Sequence, residues 1–257
     1  MYNIERKALI VDLLEKNNTV SVIQLAQMLN ISKETVRRDL RELEQEGLIK
    51  RTHGGAILEV PSNSSEYPFN VREIQRFAEK AIICKRAAQF IEDGDTIFVD
   101  NSSTTMNLLK HINPHYQVTV ITNSIRLLIE STTINNPHLT LISLGGIFRA
   151  KNYSLAGVMS IDWARNFRPN KAFISCRSVR PDTGLSDGSI YEVDTKRALI
   201  QTAQEVYLLA DHSKFKDTGT VHLADVSSVQ WIITDKGADK ESLRQLEMKG
   251  IKIAIAD

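Results

Sequence analysis

Ser32-Lys-Glu-Thr-Val-Arg-Arg-Asp-Leu-Arg-Glu-Leu-Glu-Gln-Glu-Gly-Leu-Ile-Lys-Arg-Thr-His-Gly-Gly-Ala56 is the stretch on which the fold depends. Ser32 is a good N-cap, and Val36, Leu40 and Leu43 share one face of a helix at roughly 100° per residue. Glu34, Arg38 and Arg41 then point the other way, with Arg37 at the edge. Gly47 suits the left-handed position that ends a helix. A short strand over 48–53, a Gly54-Gly55 turn and a second apolar run follow. The pattern is a helix followed by a two-stranded wing.

The residues before it supply the rest of a winged helix-turn-helix over 1–58. An amphipathic helix is expected over 4–16, with Ile4, Ala8, Leu9, Val11, Leu13 and Leu14 on or near its buried side. Asn17-Asn18 is a turn, 19–21 is extended, and Ser21 caps a helix over 22–29. Asn30-Ile31 is the tight turn into the recognition helix, which in such folds lies in the major groove of DNA. A small helical bundle with a solvated arginine face would need cap, three-helix pattern, wing and outward arginines to coincide by chance. Arg38 and Arg41 are the candidates for guanine edges or phosphates, and Glu34 for cytosine N4. Lys33 and Arg37, with Lys50 and Arg51 of the wing, are candidates for phosphate; Ser32, Thr35 and His53 complete the set. Residues 1–58 hold nine Lys/Arg against eight Asp/Glu, a net +1 (9 − 8). So weak an excess implies that a dimer or larger assembly supplies the affinity for paired half-sites on double-stranded operator DNA.

Across 257 residues, 42% hydrophobic and 25% charged residues describe an ordinary globular chain, long enough for two domains. No apolar run reaches the roughly 18 residues of a membrane span, and the N-terminus lacks a signal-peptide pattern. A cytoplasmic location with no membrane partner is expected. Cys84 and Cys176 are far apart and read as buried free thiols; no metal site and no cofactor are expected.

Residues 59–70, with two prolines and no periodicity, read as a linker, and a long helix is expected over 71–92. From there to residue 257 the chain reads as an α/β domain. Seven short apolar runs, 96–99, 118–122, 139–144, 171–175, 206–210, 231–234 and 252–256, are several of them separated by helix-length intervals. Continuous apolar runs are what strands buried on both faces of a parallel sheet require. Ligands of such sheets sit beyond the carboxyl ends of the strands, and polar clusters recur there. Asp100-Asn101-Ser102-Ser103-Thr104-Thr105 follows the first run and is read as the start of a helix, a place that favours an anion. Asn123-Ser124 follows the second, and Gly145-Gly146 with Arg149 the third. Glu192 opens a helix carrying Lys196 one turn on, and Lys214 follows the fifth run. Each motif alone also reads as a cap, a turn or a surface pair. Their recurrence at successive strand ends favours a ligand.

Residues 6–57 resemble the N-terminal domain of the DeoR family of bacterial sugar-metabolism regulators. The resemblance rests on Thr35-Val36-Arg37-Arg38-Asp39-Leu40 and the downstream His53-Gly54-Gly55-Ala56. The segments 100–105, 122–124, 145–149, 154–157, 192–197 and 208–215 are similar to that family's sensor domain. The resemblance implies a fold like ribose-phosphate isomerase and glucosamine-phosphate deaminase, and a phosphorylated sugar as effector. It implies that Asp100 and Ser102 to Thr105 form the phosphate-proximal loop, that Asn123 and Ser124 line the pocket, and that Glu192, Lys196 and Lys214 face the sugar. Two departures stand out. Ser102 replaces the glycine of the family's Asp-Ser-Gly-Thr-Thr-Thr loop, and the run 173–178 carries serines where many members have glycines. The expected function is a DNA-binding regulator, a repressor of a carbohydrate-utilisation operon, acting as a dimer or tetramer. The competing reading is a sugar-phosphate isomerase or deaminase with an appended DNA-binding module, using Asp100, Glu192 and Lys196 or Lys214 as acid–base groups.

Overall fold

The computed structural model describes residues 3–58, 68–216 and 218–257, so 59–67 of the expected linker lie outside the described residues. Two compact units divide the chain, Met1–Phe77 and Ala78–Asp257.

The first unit runs α1 (Asn3–Asn17), β1 (Thr19–Ser21), α2 (Val22–Leu29), α3 (Lys33–Gln45), β2 (Ile49–Thr52), β3 (Gly55–Leu58) and α4 (Phe69–Ile74). The Ser21 and Ser32 hydroxyls accept from the Gln24 and Thr35 amides at 3.1 Å, satisfying amides that a helix start leaves bare. Between α2 and α3 Asn30 is left-handed, with φ 51°, a conformation that asparagine tolerates. Val36, Leu40 and Leu43 are buried in one cluster with Ile10, Leu14 and Leu25. On α1 the expected Leu9 is exposed while Ile10 is fully buried.

The wing is a three-stranded antiparallel sheet in the order β1-β3-β2 rather than a two-stranded one. Gly55 admits the third strand: a Cβ there would stand 1.8 Å from the Val20 carbonyl oxygen. Val71 and Ile74 of α4 join this unit's apolar cluster. The single helix expected over 71–92 is interrupted. Gln75 is extended and Arg76 sits at φ 53°, held by an ion pair with Glu15, before α5 (Phe77–Ala88).

After α5 the second unit continues with β4 (Thr96–Val99), β5 (Val118–Thr122), α6 (Ile125–Ser131), β6 (Leu139–Ser143), β7 (Ile147–Arg149), β8 (Ser154–Ala156) and α7 (Val158–Arg165). Then come β9 (Lys171–Ile174), β10 (Ser178–Arg180), β11 (Gly184–Asp187), α8 (Ile190–Thr202), β12 (Glu205–Leu209), β13 (Val221–Ala224), β14 (Trp231–Asp235), α9 (Lys240–Met248) and β15 (Lys252–Ala256). All seven expected apolar runs are strands of one parallel sheet, in the order β6-β5-β4-β9-β12-β14-β15. Their side chains, among them Phe98, Ile121, Ile174, Leu208 and Ile232, form the main core. From β4 the chain moves outward to β6, returns to β9 beside β4, and moves out the other way. The crevice beyond the β4 and β9 carboxyl ends is therefore the topological switch point.

The β7–β8 hairpin and the small β10-β11-β13 sheet are additions that the sequence reading did not contain. Cys84 and Cys176 are buried free thiols, each pushed up to about 12 by burial. Among the described residues no helix is long and apolar enough to cross a membrane.

Candidate functional site

The outward face of α3 presents Lys33, Glu34, Arg37, Arg38 and Arg41 to solvent, and the wing presents Lys50, Arg51 and His53. A groove between helix and wing is lined by Lys33, Arg37, Arg51 and His53. Ser32 and Thr35 are committed to the cap, their hydroxyls 2.9 Å apart. Arg37 pairs with Glu34 at 3.1 Å on the surface. Glu44 accepts from the Arg51 backbone amide at 3.0 Å and from its Nε at 2.7 Å, which lowers the Glu44 carboxyl and fastens the wing to the helix.

Behind this face lies a feature that the sequence reading missed. Asp39 is fully buried and receives Arg6 Nε at 2.5 Å and Nη2 at 2.8 Å. Lys7 on the next position bridges Glu42 and Glu46, each at 3.0 Å. Basic residues of α1 thus set the position of α3 through its buried and flanking acids.

At the switch point, the helix expected after Thr105 is absent. Turns lead instead into a short 3-10 segment, Leu108–His111, so no helix N-terminus faces a ligand there. Asp100 fixes the loop. Its Oδ1 accepts from the Ser102 amide at 3.1 Å and the Thr105 hydroxyl at 2.7 Å; its Oδ2 accepts from the Ser175 amide at 3.0 Å. Lys196 Nζ stands 3.1 Å from the same Oδ2, donates to the Ser175 carbonyl at 2.7 Å and pairs with Asp187 at 2.8 Å. Asp100 and Lys196, both expected to meet the effector, are therefore fully engaged in tying the ends of β4, β9 and β11 to α8. Ser102 lies outside the left-handed region, so the serine carries no backbone penalty in the place of glycine.

Ser103 Oγ receives Lys80 Nζ at 3.1 Å, and the Thr104 hydroxyl lies 3.4 Å from Ser175 Oγ. Lys80, a buried lysine of α5, was not among the expected site residues. Half-buried Lys214 lies beside Asp211; burial alone would raise that carboxyl, but Lys214, Lys80 and Ser213 outweigh it and hold it low. Asn101 Oδ1 accepts from Asn123 Nδ2 at 3.4 Å, and Ser124 caps α6. Gly145 and Gly146 have φ of 67° and 115°, and a Cβ on Gly146 would meet Ser160 Oγ at 2.4 Å and the Ala156 carbonyl at 2.7 Å. Close packing against β8 and α7 explains Gly146, whereas Gly145 stands in open space and is accounted for by its left-handed backbone.

Arg149 does not stand open to a phosphate: its Nη1 contacts Glu192 Oε1 at 2.5 Å. The same Oε1 accepts from Ser154 at 2.7 Å and Asn152 at 3.2 Å. Glu192 Oε2 and Asn123 Oδ1 are buried acceptors without a hydrogen-bond donor, and such groups call for one. His111 and His115 stand four apart, but among the described residues no group of three His, Cys, Asp or Glu is placed to hold a metal ion.

A reading helix with a basic outer face and a doubly wound sheet with buried cations and unsatisfied acceptors at its switch point define a class: a DNA-binding regulator that carries a sensor domain. Residues 6–61 match the DeoR-like helix-turn-helix domain, and 75–236 the DeoR C terminal sensor domain. The chain belongs to the DeoR family of transcriptional regulators. It is 34% identical to the HTH-type transcriptional regulator YulB of Bacillus subtilis, over 97% of this chain and 95% of that protein. It is 30% identical to the glycerol-3-phosphate regulon repressor of Escherichia coli, over 88% of each. Among solved structures, ribose 5-phosphate isomerase A from Methanocaldococcus jannaschii aligns over 53% of each chain at 18% identity, with a TM-score of 0.39.

Proposed function

We propose that the chain represses a carbohydrate-utilisation operon and is released by a phosphorylated sugar. In this reading 1–58 bind paired operator half-sites, 59–70 link, and 71–257 sense the effector and hold a dimer or tetramer together. The observation that carries the sensor half is the pairing of Lys80 and Lys214 beside Ser103 and Asp211 with the donor-less acceptors of Asn123 and Glu192. Cations and hydroxyls suit a phosphate; buried acceptors suit the hydroxyls of a sugar. Ser103, Thr104, Lys80 and Lys214 take the phosphate, while Asn101, Asn123, Ser124 and Glu192 take the hydroxyls. Asp100, Ser102, Thr105 and Lys196 hold the loop, Gly145 and Gly146 seat the hairpin, and Arg149 orients Glu192. The similarity to a glycerol-3-phosphate regulon repressor supports a small phosphate ester as effector.

A binding role is favoured over catalysis because Asp100 and Lys196, the nearest acid–base pair, are locked to each other; burial opposes the Lys196 charge but Asp187 and Asp100 hold its pKa well above the usual lysine value. Turnover of ribose 5-phosphate or glucosamine 6-phosphate by the purified protein would overturn that choice.

The test is thermal unfolding of the full chain against a panel of sugar phosphates and the corresponding free sugars. At about a hundred times its Kd the effector adds roughly 2.7 kcal/mol of stability. We expect one phosphate ester to do so, its free sugar not to, and Ser103→Ala to remove the gain. No stabilisation by any member of a broad panel would sink the sugar-phosphate reading.

For the DNA half, Arg38→Ala is expected to weaken binding by roughly 1–3 kcal/mol, about 5- to 150-fold, if the guanidinium makes a bidentate base contact. The measurement is fluorescence anisotropy on duplexes selected from a random pool by the wild-type protein. An unchanged Kd at the same salt would remove Arg38 from the reading set.

A further inference from the structure

The second unit exposes a group of large apolar side chains, on elements that pack together, that neither the DNA surface nor the sensor cluster uses. Ile147 of β7, Val158, Met159 and Trp163 of α7, and Ile190 at the start of α8 are each more than half exposed; Phe148, also exposed, alternates with Ile147 along the strand and so lies on the other side of the hairpin. Two links join β7 to the helices, and α7 packs against α8. Ile147 lies against Gly157, the residue before Val158, with its Cδ1 3.5 Å from where a Cβ would stand. Arg149, two residues past Ile147, stacks at 4.7 Å over the ring of Tyr191, itself more than half exposed beside Ile190. The other exposed aliphatic side chains of this unit, Ile129, Met248 and Ile255, lie outside this segment of the chain.

We propose that this face is the contact between two copies of the chain, related by a two-fold axis. The proposal deepens, and rests on, the reading that the regulator binds paired half-sites as an oligomer. Size comes first. Aromatic side chains offer ~150–250 Å² each, and six large side chains more than half exposed, Ile147, Val158, Met159, Trp163, Ile190 and Tyr191, reach the order of the 800 Å² that each partner gives to a standard interface. The largest apolar patch on a typical monomer is smaller, about 300–600 Å². Charge comes second. A two-fold contact sets each patch against itself, so any charge at its centre would meet its own sign. The six side chains carry none, and the Arg149 stacked on Tyr191 is already paired with Glu192, which suits a second copy and offers little to an acidic or basic partner. Position comes third. Tyr191 lies in the face, Arg149 stacks on it, and Arg149 also holds Glu192, whose second oxygen lacks a donor. A ligand hydroxyl given to Glu192 would act one side chain away from the contact between copies, a physical route for an effector to alter the assembly.

The test is the mass of the full-length protein by sedimentation at micromolar concentration. The wild type is expected to be a dimer or tetramer, and Trp163→Glu and, separately, Ile190→Glu to halve that mass. Ile129→Glu, on α6, is the control and should leave it unchanged. Far-UV circular dichroism and thermal unfolding confirm that each variant is folded, and two independent sites guard against one failing to fold. Folded variants that keep the wild-type mass would overturn the interface while leaving the oligomer reading intact. A monomeric wild type would overturn both.

Discussion

Replacing Asp39 by alanine is expected to destabilise the N-terminal unit by about 3–5 kcal/mol and to abolish operator binding, although Asp39 is buried behind the exposed face of α3. Its carboxylate is fully buried and receives two hydrogen bonds from Arg6, whose side chain is itself buried. Alanine leaves the guanidinium buried with no acceptor, and breaking a buried pair from one side costs about that much. The Asp39 hydrogen bond, partly opposed by burial, raises the Arg6 pKa further, so Arg6 stays charged at any working pH and cannot escape by deprotonation. Domains are stable by about 5–15 kcal/mol, and a unit of this size sits near the lower end. Asp39→Asn keeps one acceptor for Arg6 and should cost less. Urea unfolding followed by far-UV circular dichroism gives the measurement. Both tryptophans, Trp163 and Trp231, lie in the second unit, so their fluorescence should be little changed. A helical transition within 1 kcal/mol of wild type would show that Arg6 finds another partner and that the bridge is not what seats α3.

What the sequence revealed and what it hid follow from how local each interaction is. The recognition helix was legible because Ser32, Val36, Leu40, Leu43 and Gly47 act through periodicity and caps within one segment. The seven parallel strands were legible because burial on both faces demands unbroken apolar runs, and Thr96–Val99 and Val118–Thr122 carry them. The break at Gln75-Arg76 was not, since no glycine or proline marks it and a left-handed arginine is held by tertiary contacts. The short strands of the β7–β8 hairpin are three residues each, too brief for a period. Charged core residues were the hardest. Buried Asp39 and Lys80, and half-buried Asp187, look like surface residues because their partners lie 33, 23 and 9 positions away. The site loop shows both sides of this. Its location at a strand end was readable, but which of its hydroxyls and carboxylates fold the loop and which remain for a ligand was decided by residues elsewhere in the chain.

Lys196→Met is the counterpart in the second unit, with an expected cost of about 3–5 kcal/mol. Methionine keeps the apolar stem as far as Cε but removes the cation shared by Asp100 and Asp187. Asp100 keeps its donors from Ser102, Thr105 and Ser175, yet a fully buried carboxylate loses the cation that it shares with Asp187. Burial alone would depress the Lys196 pKa; Asp187 and Asp100 outweigh it and raise it. A raised lysine contributes stability that is fully present below its unfolded value, about 10.4, and is lost only as pH rises through the folded value. The wild-type advantage over Lys196→Met should accordingly be constant from pH 6 to 9 and shrink only in strong alkali. Tryptophan fluorescence during urea unfolding reads this unit. The double variant Lys196→Met/Asp187→Asn removes one of the two carboxylates that Lys196 serves, so it should recover part of the loss; additive costs would mean that the two residues do not interact. Recovery would identify Lys196 as the tie of the switch-point loop rather than a ligand of the effector. If Lys196→Met instead keeps wild-type stability but loses the sugar-phosphate response, Lys196 belongs to the ligand and the assignment of cations at the site must be reversed.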